Sequence, residues 1–196
     1  MLRIGAVMKY LSVGQEISLR DHEKRTLEEL GECLSHAGWS LRSAGKSIVD
    51  DCILTGARKN ADALYEVLVP APHYRSFKKG DPFVLSADAF PFLTQERAIS
   101  MLEAPSEHVS FRSPYEKKFL ITAAALAFGA DLKSPTRFAL TWLRDNDPKA
   151  LLKTEDVALF YTLKSRGIPV FNLGNQEHRI RIDTFIEASL KRASSF

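Results

Sequence analysis

The chain has 196 residues, of which 45% are hydrophobic and 26% charged, with a formal net charge of +3 and a pI near 8.8. Those values suit one globular domain with a real core and exclude an intrinsically disordered chain. The slight positive charge falls well short of the dense Lys/Arg patches of a dedicated DNA-binding domain.

The first apolar run, LRIGAVM over residues 2–8, predicts a strand, and VGQEISLRD predicts a loop after it. The stretch DHEKRTLEELGECLSHAG carries Leu27, Leu30, Cys33 and Leu34 at helical spacing, with acidic residues early and Gly38 as a stop. Trp39 to Leu41 then predict a strand, Ser43 to Ser47 a tight turn, and Ile48 to Gly56 a helix. Residues 64–69, LYEVLV, predict a third strand, ended by Pro70 and Pro72. The order βαβαβ implies parallel pairing and an α/β, Rossmann-like, doubly wound and mostly parallel sheet with helices on both faces.

Residues 72–115 hold five of the nine prolines and read as an irregular insertion over the sheet, with one helix near Thr94 to Glu103. Regularity returns with PYEKKFLITAAALAFGADL, an alanine-rich buried helix that stops at Gly129. RFALTWL (137–143) predicts a strand and RDNDPKA a loop. Residues 154–166 predict a helix, with Thr154 as N-cap, Glu155 and Asp156 in the first turn, and Lys164 and Arg166 in the last. GIPVFNL (167–173) predicts the last strand and Asp183 to about Arg192 a closing helix. There is no internal repeat, so the whole of 1–196 reads as a single domain.

Two cysteines, Cys33 and Cys52, are too few for a disulfide framework and form no C-x-x-C. They read as free thiols in a reducing cytoplasm. No run approaches 18 apolar residues and the N-terminus lacks a signal-peptide h-region, so neither membrane nor export is expected. His73 and His108 lie in the irregular stretch and pair with no Cys, His or acidic residue at ligand spacing, so no metal is expected, and no resident cofactor either. His36 suits a helix C-terminus, and His178, among alternating charges, reads as solvated surface. No serine lies in a G-x-S-x-G elbow, so no catalytic residue is assigned.

In a doubly wound sheet, ligands sit beyond the carboxyl ends of the strands. The predicted strands place Met8-Lys9, Arg42 to Ser47, Trp142 to Asp145 and Asn172 to Asn175 there, with Thr154 close by. The strongest local signal is Arg42-Ser43-Ala44-Gly45-Lys46-Ser47, where small residues between strand and helix let backbone N–H groups approach an anion. The match to a Walker A loop fails, because its first glycine falls on Ser40. A plain βα turn that needs only a small residue explains the stretch equally well. Arg144-Asp145-Asn146-Asp147 precedes Pro148 and reads as a turn.

GWSLRSAG, FGADLKSPTRFALTWL and GIPVFNL resemble the SLOG superfamily, and more closely the DprA/LOG-like proteins that many bacteriophages encode. The resemblance runs from about position 30 to 173 and implies a Rossmann-like nucleotide-binding domain. The family's double glycine is Ala44-Gly45 here, with its following acidic residue at Asp50. Its Arg-Asn pair falls near Thr122-Ala123 and is absent. Its Gly-Gly-Thr phosphate loop falls on Thr154-Glu155-Asp156. A carboxylate beside a phosphate is unfavourable by on the order of 1 kcal/mol. The resemblance therefore implies the fold without LOG-type phosphoribohydrolase activity.

The leading expectation is a non-catalytic protein that binds a nucleotide-derived small molecule, phage-encoded and acting on an antiviral nucleotide signal in the host cytoplasm. Lys9, Arg42, Ser43, Gly45, Lys46, Ser47, Trp142, Arg144, Thr154 and Asn172 are the candidate ligand residues. Trp142 offers a stacking face for a base, or a core side chain. Alternatives are DprA-like binding of single-stranded DNA through Tyr74, Arg75, Phe77, Lys78 and Lys79, inhibition of a host protein by the scaffold alone, and an altered LOG-type enzyme. The resemblance also implies a homo-oligomer.

Overall fold

A computed structural model describes residues 8–14, 18–77, 83–110, 113–143 and 154–193. Among these residues six strands, β1 (Lys9–Ser12), β2 (Ser40–Ser43), β3 (Tyr65–Val69), β4 (Val84–Ser86), β5 (Phe138–Thr141) and β6 (Val170–Asn172), form one sheet in the order β4-β3-β2-β1-β5-β6. Every pairing is parallel. The chain winds from β1 outward to β4 and then crosses to the other side of β1 for β5 and β6. The order reverses between β1 and β5, which puts a topological switch point there.

Among the described residues the helices are α1 (Asp21–His36), α2 (Ile48–Ala57), α3 (Phe92–Ser100), α4 (Ser106–Val109), α5 (Pro114–Phe128), α6 (Thr154–Ser165) and α7 (Gln176–Ala193). Strand alternation separates two cores. Tyr10, Leu41, Val67, Val69, Phe138 and Leu140 pack with α1, α2 and α7. Leu11, Leu68 and Ala139 pack with α5 and α6 on the opposite face. The run Leu120–Phe128 is buried on all sides, which explains why α5 reads as alanine-rich without an amphipathic stripe. Ser113 caps α5 by accepting the Glu116 N–H, with Pro114 in the first turn.

Three expectations change. The predicted strand over 2–8 lies almost wholly outside the described residues, and β1 runs over Lys9–Ser12, between that predicted strand and the predicted loop that starts at Val13. The polar ends of KYLS concealed it: Lys9 and Ser12 enter a central strand because Glu66 and Asp50 partner them. The Pro-rich stretch is not simply an insertion, since Val84–Ser86 supplies the sheet's edge strand, paired with β3 through Val67, Leu68 and Val69. The closing helix begins at Gln176, seven residues earlier than expected.

Candidate ligand site at the carboxyl ends of the strands

The turn after β2 is built around a buried carboxylate. Ser47 caps α2 by accepting the Asp50 N–H at 3.2 Å. Asp50, fully buried, turns its side chain back into the turn. It accepts the Lys46 N–H at 3.2 Å, the Ser47 N–H at 3.1 Å, the Ser47 hydroxyl at 2.9 Å and the Ser12 hydroxyl at 2.5 Å. Ser43 accepts the Gly45 N–H at 3.1 Å. The N–H groups that would cradle an external anion at this helix start are thus satisfied by the chain itself. Burial raises the Asp50 pKa, against the opposing pull of the Ser12 and Ser47 hydroxyls and of Lys46.

Gly45 adopts φ +57°, and a Cβ there would lie 2.2 Å from the Phe77 ring. Gly14 fills the same role at the end of β1, where a Cβ would lie 2.1 Å from the Ser47 hydroxyl oxygen. Two glycines therefore let the ends of β1 and β2 close around the first turn of α2.

The start of α6 supplies the second half of the site. The Lys46 ammonium, 8% exposed, reaches across to Glu155 at 3.1 Å and forms an ion pair with Asp156 as well. Burial opposes the Lys46 charge, yet Asp156 and Glu155 outweigh it and hold its pKa above the usual lysine value. Burial pushes Asp156 up to about 6 in spite of Lys46, with Glu155 and Asp50 adding repulsion. The two directions have different causes: the carboxylates raise Lys46 against burial, whereas burial raises Asp156 against the pull of Lys46.

Beside this triad lies a small, partly open space of about 10 Å³, bounded by Ala44, Lys46, Tyr74, Phe119, Leu126 and Asp156. That is room for one water at most. The segment 70–77 forms its cover. Arg75 donates to the Gly45 carbonyl at 2.6 Å and pairs with Asp51 at 2.8 Å, and Phe77 is buried against the turn. His73 and Arg75 both adopt positive φ, at 62° and 53°. Strained non-glycine backbone of this kind persists where surrounding contacts impose it.

The other candidate residues occupy varied places. Ser43, Gly45, Lys46 and Ser47 do come together around the turn. Arg42 does not join them: it lies within β2, 1% exposed, and donates to Glu66 at 2.9 Å and to the Ser134 carbonyl at 2.6 Å. Lys9 stands at the amino end of β1, paired with the same Glu66. Burial works against the Glu66 carboxylate, but hydrogen bonds from Lys9 and Arg42 hold its pKa below the usual value. Trp142 is a core side chain, 5% exposed. Asn172 ties β6 to β5, accepting the Leu143 N–H at 2.7 Å and donating to the Leu143 carbonyl at 2.9 Å. Thr154 opens α6, with its side chain outside the described residues, and Arg144 lies wholly outside them.

His178 is not simply solvated: its Nδ1 accepts the Asn172 N–H at 2.9 Å. His36 holds a helix-end position, with Nδ1 2.9 Å from the Glu32 carbonyl. The stacking platform expected for single-stranded DNA is not presented among the described residues, since Phe77 faces inward and Arg75 is paired; Lys78 and Lys79 lie outside them. No group of three metal-ligating side chains occurs among the described residues, and none of their helices is long and apolar enough to cross a membrane. Sequence reasoning missed Ser12, whose partner is distant in sequence. It also assigned no site role to Asp50 beyond the resemblance, although S-x-x-D at 47–50 is a capping-box signal.

No family model and no curated protein sequence matches the chain. Among solved structures it is similar to the molybdenum cofactor carrier protein of Chlamydomonas reinhardtii. One structure of that protein gives a TM-score of 0.43 at 16% identity, covering 94% of this chain and 99% of that one. Another gives 0.39 at 16% identity, covering 84% and 89%. The molybdenum cofactor binding protein of Rippkaea orientalis gives 0.41 at 13% identity, covering 93% and 98%.

Proposed function

We propose that this chain binds a small nucleotide-derived anion at the carboxyl ends of β1 and β2 without transforming it. The observation that carries this reading is the buried Lys46 ammonium, held at the edge of a small, partly open space by side-chain carboxylates. Side-chain ion pairs can be exchanged without unfolding a helix. An entering phosphate would take the ammonium from Glu155 and Asp156 and displace the Tyr74 side of the cover. Ser43, Gly45 and Ser47 would then border the ligand, and Arg42 would support the strand beneath them. A space of about 10 Å³ is too small for a nucleotide, so binding and rearrangement would be one event.

The non-catalytic part of the reading rests on commitment of the acidic groups. Asp50 is saturated by four donors, and Asp156 faces Lys46. Neither is free to serve as a general base in this arrangement. In the bacteriophage setting that the sequence resemblance implies, such a protein would withhold a nucleotide signal from its receptor.

The test is a thermal-shift panel of nucleoside monophosphates, cyclic dinucleotides, ADP-ribose and a short DNA strand. It uses the native chain, Lys46→Ala and Glu155→Gln. One nucleotide should raise the melting temperature by several degrees through mass action. Lys46→Ala should abolish that shift, and Glu155→Gln should enlarge it by removing a competitor for the ammonium. No shift with any compound would overturn the reading and leave a scaffold that acts through protein contacts. That alternative has its own support in the self-satisfied turn around Asp50.

A further inference from the structure

The opposite end of the sheet holds an open cleft of about 490 Å³. Its floor is apolar, formed by Phe128, Leu132 and Ile168, and its rim carries Lys133, Arg137 and Arg166. Phe128 and Leu132 are 6% exposed, so the floor is well packed. The volume lies within the range of small-molecule sites. Three cations border it against nearby carboxylates that are already engaged. Glu103 pairs with Arg166 at 2.5 Å. Asp131 accepts the Ser134 hydroxyl at 2.7 Å and the Lys133 and Ser134 N–H groups.

Cations at the amino ends of parallel strands have an ordinary explanation, because helices end there and expose carbonyls. Here those carbonyls find other donors. Gly129 N–H caps Ala125, Ser134 N–H caps Phe128, and Thr136 N–H caps Ala127 at the end of α5. Arg166, Gly167 and Ile168 N–H groups do the same for Thr162, Lys164 and Leu163 at the end of α6. The Lys133 and Arg137 side chains therefore cap neither helix. Both are exposed, and among the described residues neither forms a hydrogen bond or ion pair. Arg166 is placed by two contacts, the Glu103 pair and the Phe128 ring 5.6 Å beneath its guanidinium.

We infer that this cleft is a second binding site, for a small organic anion with an apolar, preferably aromatic, body and one phosphate or carboxylate group. The body would lie on Phe128, Leu132 and Ile168. The anionic group would lie between Lys133 and Arg137, where two uncommitted cations converge on one cleft. The site is independent of Lys46 and of the carboxyl-end reading.

The experiment is a titration of the full chain with phenyl phosphate, followed by NMR chemical shifts at low ionic strength. Phenol and inorganic phosphate serve as half-ligands. Phenyl phosphate should bind, with both half-ligands at least about tenfold weaker. Lys133→Ala with Arg137→Ala should weaken it by about tenfold or more, with an unchanged melting temperature because both side chains are exposed. Arg137→Lys should retain most binding, and Lys46→Ala should leave it unchanged. Absence of phenyl phosphate binding would overturn the inference. So would binding that survives the double variant, or binding that inorganic phosphate matches without the ring.

Discussion

Ser12 donates its hydroxyl to Asp50 at 2.5 Å, joining the end of β1 to the first turn of α2. Both residues have no exposed surface. Asp50 thereby organises two strand ends and a helix start with one carboxylate. Asp50→Ala would strand two backbone N–H groups and two hydroxyls in a region that water does not reach. We expect a loss of about 3–5 kcal/mol, read as a lower urea midpoint with unchanged slope. A loss below 1 kcal/mol would show that the turn does not depend on this carboxylate.

Asp156 gives a pH signature with a definite sign. Its folded pKa, about 6, exceeds its usual value of 3.8. The folded state then holds the proton more tightly than the unfolded state, so this group's contribution to stability is greatest below pH 4 and falls as pH rises toward 6. Asp156→Asn removes that dependence. Relative to the variant, the native chain should lose up to about 3 kcal/mol between pH 4 and pH 7. Stability curves of the two proteins that run parallel across this window would refute the buried, repelled state of the carboxylate.

The sheet was legible because its signals are local: apolar runs, helical spacing of leucines in α1, and the stops at Gly38 after α1 and Gly129 after α5. The strand limits were less so. A predicted strand ending at Leu41 put Arg42 in the ligand loop, whereas β2 continues to Ser43 and turns Arg42 toward Glu66 and Ser134. Nothing near Arg42 in the sequence announces partners 24 and 92 residues away. The site was legible in the same partial way. The turn Ser43–Ser47 is visible as small residues beside a lysine. Its closure by Asp156, and by the Tyr74 to Phe77 cover, depends on long-range packing that no periodicity records.

Gly45 and Phe77 should prove coupled. Gly45→Ala forces a side chain into a φ of +57° and against the Phe77 ring at 2.2 Å. Strain and collision together should cost about 2–4 kcal/mol. Phe77→Ala alone should cost about 3–5 kcal/mol as a core truncation. In the double variant the collision is gone and the strain remains, so the combined loss should fall short of the sum by about 1 kcal/mol or more. Additive losses in urea denaturation would show that the ring yields freely and does not hold the turn.

Arg42 separates support from recognition. Its guanidinium is 1% exposed and its donors already point to Glu66, Ser134 and Thr136. Arg42→Ala would remove a buried stem and leave Glu66 with Lys9 alone. We expect a loss of about 3–4 kcal/mol. Arg42→Met keeps the stem and should lose about half as much. Any nucleotide that raises the melting temperature of the native chain should raise that of Arg42→Met by a similar increment, because the side chain faces away from the turn that holds Lys46. A variant of normal stability that has lost the ligand would place Arg42 in the site after all, and would require β2 to shift on binding.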